Sequence, residues 1–225
     1  MVEESSEPDG VEGTRQGYDA VAEEYARRIY GELADKPFDR ALLDRFAELV
    51  RPVGRACDLG CGPGQVARYL HDRGLAVSGV DLSPGMVQQA RCLNPDIPFQ
   101  QGNMLDLDFE DRSLGGIAAF YSIIHIPRAL LLEAFAEMWR VLRPGGVLLV
   151  AFHLGDEDRH LEEWWGTPVS IDFLFFEREE VERRVIDAGF TVEESLERPP
   201  YPDVEHQSRR AYILARKLDT DMETA

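Results

Sequence analysis

The sequence is poor in cysteine, in long apolar runs and in positive charge, and each shortage removes a class of protein. Three cysteines stand among 225 residues. Cys57, Cys61 and Cys92 are odd in number and have no zinc-ligand spacing, so neither a disulfide scaffold nor a thiolate metal site is expected, and a reducing compartment is. No apolar run approaches the roughly 20 residues that cross a bilayer. The acidic N-terminus has no apolar segment of the kind an export signal carries, so a cytoplasmic protein without a membrane partner is expected. Lys and Arg number 24 against 42 Asp and Glu, a net charge of −18. Nucleic acid needs clustered cations for its phosphates, and no basic stripe is present to meet them. No metal-binding cluster stands out.

Much of the acid lies at the two ends. Glu3, Glu4, Glu7, Asp9 and Glu12 precede the first basic residue, and Asp219, Asp221 and Glu223 follow the last. Residues 1–13 and 218–225 are therefore expected as solvated tails, with 14–217 as a single domain. An apolar content of 44% suffices for one sizeable core.

Apolar spacing predicts helices at 18–30 and 38–50, followed by alternating strands and helices. The strands are 53–58, 75–80, 97–101, 116–121, 146–152, 190–197 and 208–217; the helices are 65–73, 84–93, 128–142 and 177–188. Alternation implies a mostly parallel, doubly wound α/β sheet with right-handed crossovers. The last two strands are joined by a short Pro-rich segment with Pro199, Pro200 and Pro202, too short for a helical crossover, so they should pair antiparallel.

The most informative stretch is Ala56-Cys57-Asp58-Leu59-Gly60-Cys61-Gly62-Pro63-Gly64. A strand runs into a turn of three glycines and then a helix. Such a turn allows positive φ and close approach of a ligand, and the helix start offers unpaired N–H groups. The next strand ends at Asp81, a carboxylate placed for both hydroxyls of a ribose. This is the pattern of a nucleoside site.

The spacing is G-x-G-x-G with an acid two residues ahead, not the dinucleotide G-x-G-x-x-G. Asp58-x-Gly60-x-Gly62-x-Gly64 resembles motif I of the class I S-adenosylmethionine-dependent methyltransferases. Val80-Asp81-Leu82-Ser83 is similar to that family's second motif, Gly102-Asn103-Met104 to its adenine-binding turn, and Leu142-Arg143-Pro144-Gly145-Gly146 to its turn before the fifth strand. The resemblance covers roughly residues 14–217 and implies a seven-stranded sheet with an antiparallel last strand.

It also implies S-adenosylmethionine as cofactor, S-adenosylhomocysteine as product and a small-molecule acceptor. Asp81 would bind the ribose, with Leu82 and Met86 on the adenine faces and Asn103 and the Met104 N–H at the adenine edge. Many family members have Asp at the Asn103 position, and Asp106 is the alternative there. Gly60 and Gly62 would carry the methionine end, and Asp58 would orient the loop or meet the ammonium through water. The Tyr121 carbonyl, Tyr18 and Tyr25 complete the cofactor set, the tyrosines coming from an N-terminal helical cap over 14–50. The segment 153–176 is expected as a lid over the acceptor, with Trp164 and Trp165 lining the pocket and Phe175 and Phe176 as core.

His125 and His153 follow the fourth and fifth strands at the edge where open α/β sheets bind ligands, so they are the candidate bases. The expected activity is methyl transfer to an O, N, S or C nucleophile of a small molecule. A cofactor-binding protein without turnover and a nicotinamide-dependent oxidoreductase are the alternatives. The sequence is silent on oligomeric state.

Overall fold

The four residues of β1 (Ala56–Leu59) are buried along their whole length, as a strand covered on both faces must be. Parallel neighbours on each side enforce this burial: β2 (Val77–Asp81) on one, β4 (Leu114–Phe120) on the other. The computed structural model describes residues 9–218. Outward from that centre lie β3 (Phe99–Gln101) beside β2 and β5 (Leu142–His153) beside β4, both parallel. The hairpin of β8 (Thr191–Arg198) and β9 (Arg210–Arg216) closes the far edge, with β9 antiparallel to both β5 and β8. The order β3-β2-β1-β4-β5-β9-β8 bears out the expected seven-stranded, mostly parallel sheet.

Helices α2 (Pro37–Val50), α3 (Gln65–Asp72) and α4 (Pro84–Leu93) pack one face through Leu43, Phe46, Val66, Leu70 and Val87. Helices α5 (Leu131–Val141) and α6 (Arg178–Asp187) cover the other through Phe135, Met138, Val181 and Val185. Chain order reverses between β1 and β4, so a crevice opens beyond their C-terminal ends. No helix among the described residues is long and apolar enough to cross a membrane.

Two segments depart from the sequence reading. Helix α1 runs Asp9–Ile29, so the expected tail over 1–13 is already helical at residue 9; residues 1–8 and 219–225 lie outside the described residues. Gly13 and Gly17 should weaken that helix, but they form a notch for a second element. A Cβ on Gly13 would sit 3.0 Å from the Ser170 carbonyl oxygen, and one on Gly17 would collide with Ile171. That element is the second difference. The expected loop over 153–176 contains an antiparallel hairpin, β6 (Arg159–Trp164) and β7 (Thr167–Phe173). Trp165 (φ 52°) and Gly166 (φ 82°) form its two-residue turn, with both residues left-handed as a type I′ turn requires. Its strands escaped the periodicity reading because they pack on a helix and not into the main core.

Candidate functional site

The end of β1 and the end of β4 shape each other. Gly60 adopts φ 72°, and a Cβ there would collide with Ser122, whose hydroxyl donates to the Leu59 carbonyl at 2.8 Å. Ser122 is brought there by a kink at Tyr121, a non-glycine residue at φ 54°. Gly62, at φ 51°, would seat a Cβ without collision; the nearest atom to it is Tyr25 Cε1 at an ordinary contact distance of 3.8 Å. Gly60 is thus required by the protein's own packing, and Gly62 lines the cavity as a bare backbone surface.

Asp81 holds this loop and the next helix together. One carboxylate oxygen accepts the Gly62 N–H at 2.7 Å, the other the Ser83 N–H at 2.9 Å. Ser83 caps α4 by accepting the Met86 N–H at 3.1 Å. Asp19 of α1 accepts from the Ser83 hydroxyl (2.8 Å) and the Gly85 N–H (2.6 Å), tying the cap to the sheet edge. Burial pushes the Asp81 carboxyl up to about 6, against the pull of those N–H donors. Asp58 is fully buried; it accepts the Ala67 N–H at 2.8 Å and burial pushes it up to about 7. It orients the loop through the first turn of α3 and is not on the cavity surface.

The cavity lies between this edge and α1. Tyr18, Tyr25, Gly60, Gly62, Asp81 and Leu82 line it, as do Met86, Asn103, Met104, Tyr121 and His125. Most of the expected cofactor residues therefore converge. Asn103 is partly committed already, since its Oδ1 accepts the Leu105 N–H at 3.0 Å. Asp106 is exposed and outside the cavity.

His125 has both ring nitrogens engaged. Nδ1 lies 2.8 Å from the Asp172 carbonyl of β7, which can only accept, so Nδ1 carries the proton. Nε2 then accepts from the Tyr18 hydroxyl at 2.7 Å. Burial lowers the imidazole to about 4, so it is neutral at pH 7. The hairpin, the cap helix and the turn after β4 meet in this one chain of bonds.

Three expectations are not met by the geometry. His153 lies outside the cavity, stacked between Tyr121 and Phe175 with Nδ1 2.9 Å from the Ser208 hydroxyl. Burial, with the Arg210 charge nearby, lowers it to about 3. Trp164 and Trp165 are also absent from the lining. They pack behind the tyrosines instead, with ring centroids 5.5 Å apart for Trp164 against both Tyr18 and Tyr25, and 6.2 Å for Trp165 against Tyr25. Phe175 and Phe176 are buried, as expected.

Further lining comes from residues that sequence reasoning missed. Glu32 and Lys36, between α1 and α2, pair at 2.5 Å and line the cavity with Gln65 and Asp39. Asp39 accepts from Arg198 (2.7 Å), Tyr212 (3.0 Å) and Tyr121 (3.2 Å). Glu205, in the β8–β9 loop, contacts Arg198, Arg210 (3.0 Å) and Lys36 (3.5 Å). Of these only Gln65 had a signal, standing directly after the glycine run. Its Oε1 is buried and finds no hydrogen-bond donor among the described residues. An unpaired acceptor, a bare Gly62 surface and the Asp81 carboxylate in one cavity fit a nucleoside carrying a donor-rich polar tail.

Comparison with known proteins agrees. Residues 56–146 match the model of a methyltransferase domain family. A Synechocystis methyltransferase is 29% identical over 166 residues, covering 70% of this chain and 76% of that protein. The demethylmenaquinone methyltransferase of Beutenbergia cavernae is 35% identical over 117 residues, 52% of this chain and 47% of its own. This chain thus spans less than half of the demethylmenaquinone methyltransferases it matches. Among solved structures, a chain of the complex between the Haloferax volcanii Trm112 methyltransferase activator and a methyltransferase superposes with a TM-score of 0.68. It is 24% identical and covers 92% of this chain and 98% of its own, a likeness of fold. Over residues 56–146 the chain is thus similar to methyltransferase domains, and its sheet order with an antiparallel β9 is the fold of the S-adenosylmethionine-dependent methyltransferases.

Proposed function

We propose that this protein binds S-adenosylmethionine in the cavity under α1 and transfers its methyl group to a small-molecule acceptor. The observation that carries the reading is the meeting of Gly62, Asp81 and Gln65 Oε1 in one cavity beneath a tyrosine-lined cap. Asp81 would accept from the ribose hydroxyls, and Leu82, Met86, Asn103 and Met104 would flank the adenine. The bound cofactor supplies an electrophilic methyl on a sulfonium, so the chain has to align a nucleophile and keep water out.

Tyr18 and Tyr25 close the cavity, and the hairpin backs them through Trp164 and Trp165. Packing of β7 into the Gly13–Gly17 notch makes helix and hairpin a single lid over the site. His125, neutral and engaged at both nitrogens, would set the direction of the Tyr18 hydroxyl; with a value of about 4 it is a weak base at pH 7. That favours an acceptor arriving already ionised. Among the curated relatives are enzymes named for trans-aconitate and for malonyl-acyl-carrier protein, both carboxylate-bearing compounds. A carboxylate is accordingly our first acceptor class.

The test is calorimetric binding of S-adenosylhomocysteine, then transfer of labelled methyl from S-adenosylmethionine to a panel of organic acids, phenols and amines. Saturable binding with label appearing in an acid supports the reading. Binding without transfer to any acceptor or cellular extract would make this a cofactor-binding protein, and tighter binding of a nicotinamide dinucleotide would remove the cofactor assignment.

A further inference from the structure

Asp58 was expected to orient the loop or to meet the cofactor's ammonium through water, and its carboxylate is turned onto the Ala67 N–H. The cavity wall supplies charged and polar acceptors elsewhere. Gln65 donates from Nε2 to Glu32 Oε1 at 3.3 Å, and Lys36 Nζ donates to the other Glu32 oxygen at 2.5 Å. These bonds fix which way the Gln65 amide points. The reverse orientation would set its oxygen against the Glu32 carboxylate, acceptor against acceptor. Gln65 Oε1 is therefore turned toward the glycine loop, 4.0 Å from where a Cβ on Gly62 would stand. It is sealed from solvent and has no donor among the described residues. Leaving a buried acceptor unpaired is costly, so a donor from the ligand is the natural partner.

We infer that Glu32 and Gln65 form the subsite for the α-ammonium group at the amino-acid end of the cofactor, with Lys36 holding the Glu32 carboxylate in place. The subsite rests on the cofactor reading proposed above. An ammonium brings three N–H donors and a positive charge; Gln65 Oε1 and the Glu32 carboxylate offer acceptors and a negative charge. The adenosine half has no cation that would call for them. The two residues come from different places, one after the glycine run and one from the turn between α1 and α2, so the subsite exists only when the cap is docked.

The experiment compares three ligands on the full chain by calorimetry: S-adenosylhomocysteine, its deaminated analogue with hydrogen in place of the α-ammonium, and 5′-methylthioadenosine. The parent should bind S-adenosylhomocysteine about ten- to a hundredfold more tightly than the deaminated analogue, the range of a charge-assisted hydrogen bond. Glu32→Gln and Gln65→Met should each lose about tenfold or more for S-adenosylhomocysteine, and stay within about twofold of the parent for the other two ligands. If Glu32→Gln fails to fold, Gln65→Met carries the same comparison, since it removes one 3.3 Å hydrogen bond to Glu32 and leaves the Glu32–Lys36 pair in place. Equal losses for all three ligands, or a parent that does not distinguish S-adenosylhomocysteine from its deaminated analogue, would overturn the subsite while leaving the cofactor reading standing. A parent that binds none of the three would overturn both.

Discussion

Asp58 and Asp81, at the ends of β1 and β2, are buried acids whose partners are backbone N–H groups: Ala67 for the first, Gly62 and Ser83 for the second. Asp39, in the cavity lining, and Glu205, outside it, are acids with buried carboxylates that share Arg198; Asp39 also accepts from the Tyr212 and Tyr121 hydroxyls, and Glu205 also contacts Arg210 and Lys36. The two settings have opposite consequences. Burial raises Asp58 and Asp81 toward neutrality, because amide dipoles offset only part of the lost hydration. Burial also works against the Glu205 anion, but Arg198 and the Tyr201 N–H outweigh it and hold the carboxyl below its ordinary value. Amides position a carboxylate and leave it able to serve a ligand; arginines lock it into the wall. Asp81 is left on the cavity surface with its carboxylate held by amides, and the Arg198 cluster holds Asp39 and Glu205 in shape.

The perturbations that follow, the last excepted, attack or refine that contrast. The largest effect should come from Glu205→Ala, which removes the carboxylate partner of Arg210 and one of the two carboxylates on Arg198. We expect a loss of about 3–5 kcal/mol in denaturant unfolding. A loss under about 1 kcal/mol would show that the cations are served by solvent and that the wall is not a lock. Next comes Asp81→Ala, which should weaken S-adenosylhomocysteine binding by about 1.5–3 kcal/mol in calorimetry. Unchanged affinity in a folded variant would leave Asp81 as a loop brace only.

The glycines separate the same two roles within one loop. Gly60→Val meets Ser122 and should lower thermal stability strongly. Gly62→Val has space for its side chain, so its cost is a left-handed φ, about 1–2 kcal/mol, while ligand binding is abolished. Equal melting points for the two variants would contradict the assignment of Gly60 to packing.

A smaller effect is read from pH. Both raised carboxyls mean that the folded chain holds more protons than the unfolded one between the ordinary carboxylate range and about 6 to 7. Stability therefore falls as pH rises through that window. Asp58→Asn keeps an oxygen for the Ala67 N–H and never ionises. It should exceed the parent by on the order of 1 kcal/mol at pH 7.5, the gain vanishing near pH 4. His125 and His153, lowered to about 4 and about 3, act in the other direction and cost stability as pH falls below their unfolded value. The difference between variant and parent melting curves isolates Asp58 from them, and no difference at pH 7.5 would mean its carboxyl is not raised. The smallest effect should be that of Trp165→Asn. The residue is half-exposed at a left-handed turn position, outside the cavity and over Arg28 at 4.9 Å. Stability should change by about 0.5 kcal/mol and S-adenosylhomocysteine affinity by less than about twofold. A tenfold loss of affinity would restore it to the binding surface.

Much of the binding side was legible in the chain, because its residues are close in sequence. Asp58 to Gly64 turn, cap and present backbone within one loop, and Asp81 ends the neighbouring strand. The wall was not legible. Asp39 meets Arg198 across 159 positions, and Tyr18 meets His125 across 107. No periodicity records such partnerships. His153 shows the converse error: a histidine at the right strand end, with the ring stacked behind Tyr121 and not beside the cavity. The tryptophans were drawn to the site by composition, and the turn at Trp165-Gly166 sets them behind the tyrosines.

Local rules were enough to determine the seven strands of the main sheet, their alternation with helices, the antiparallel closing pair and the glycine loop. Each depends on apolar spacing, glycine conformation or connection length within a few residues. Only the tertiary structure decided that a glycine-bearing first helix survives by packing on a hairpin, that His125 faces the cavity while His153 does not, and that Glu32 and Gln65 share a wall. Those outcomes turn on desolvation and contact between distant segments, and such energies exist only once the chain has closed on itself.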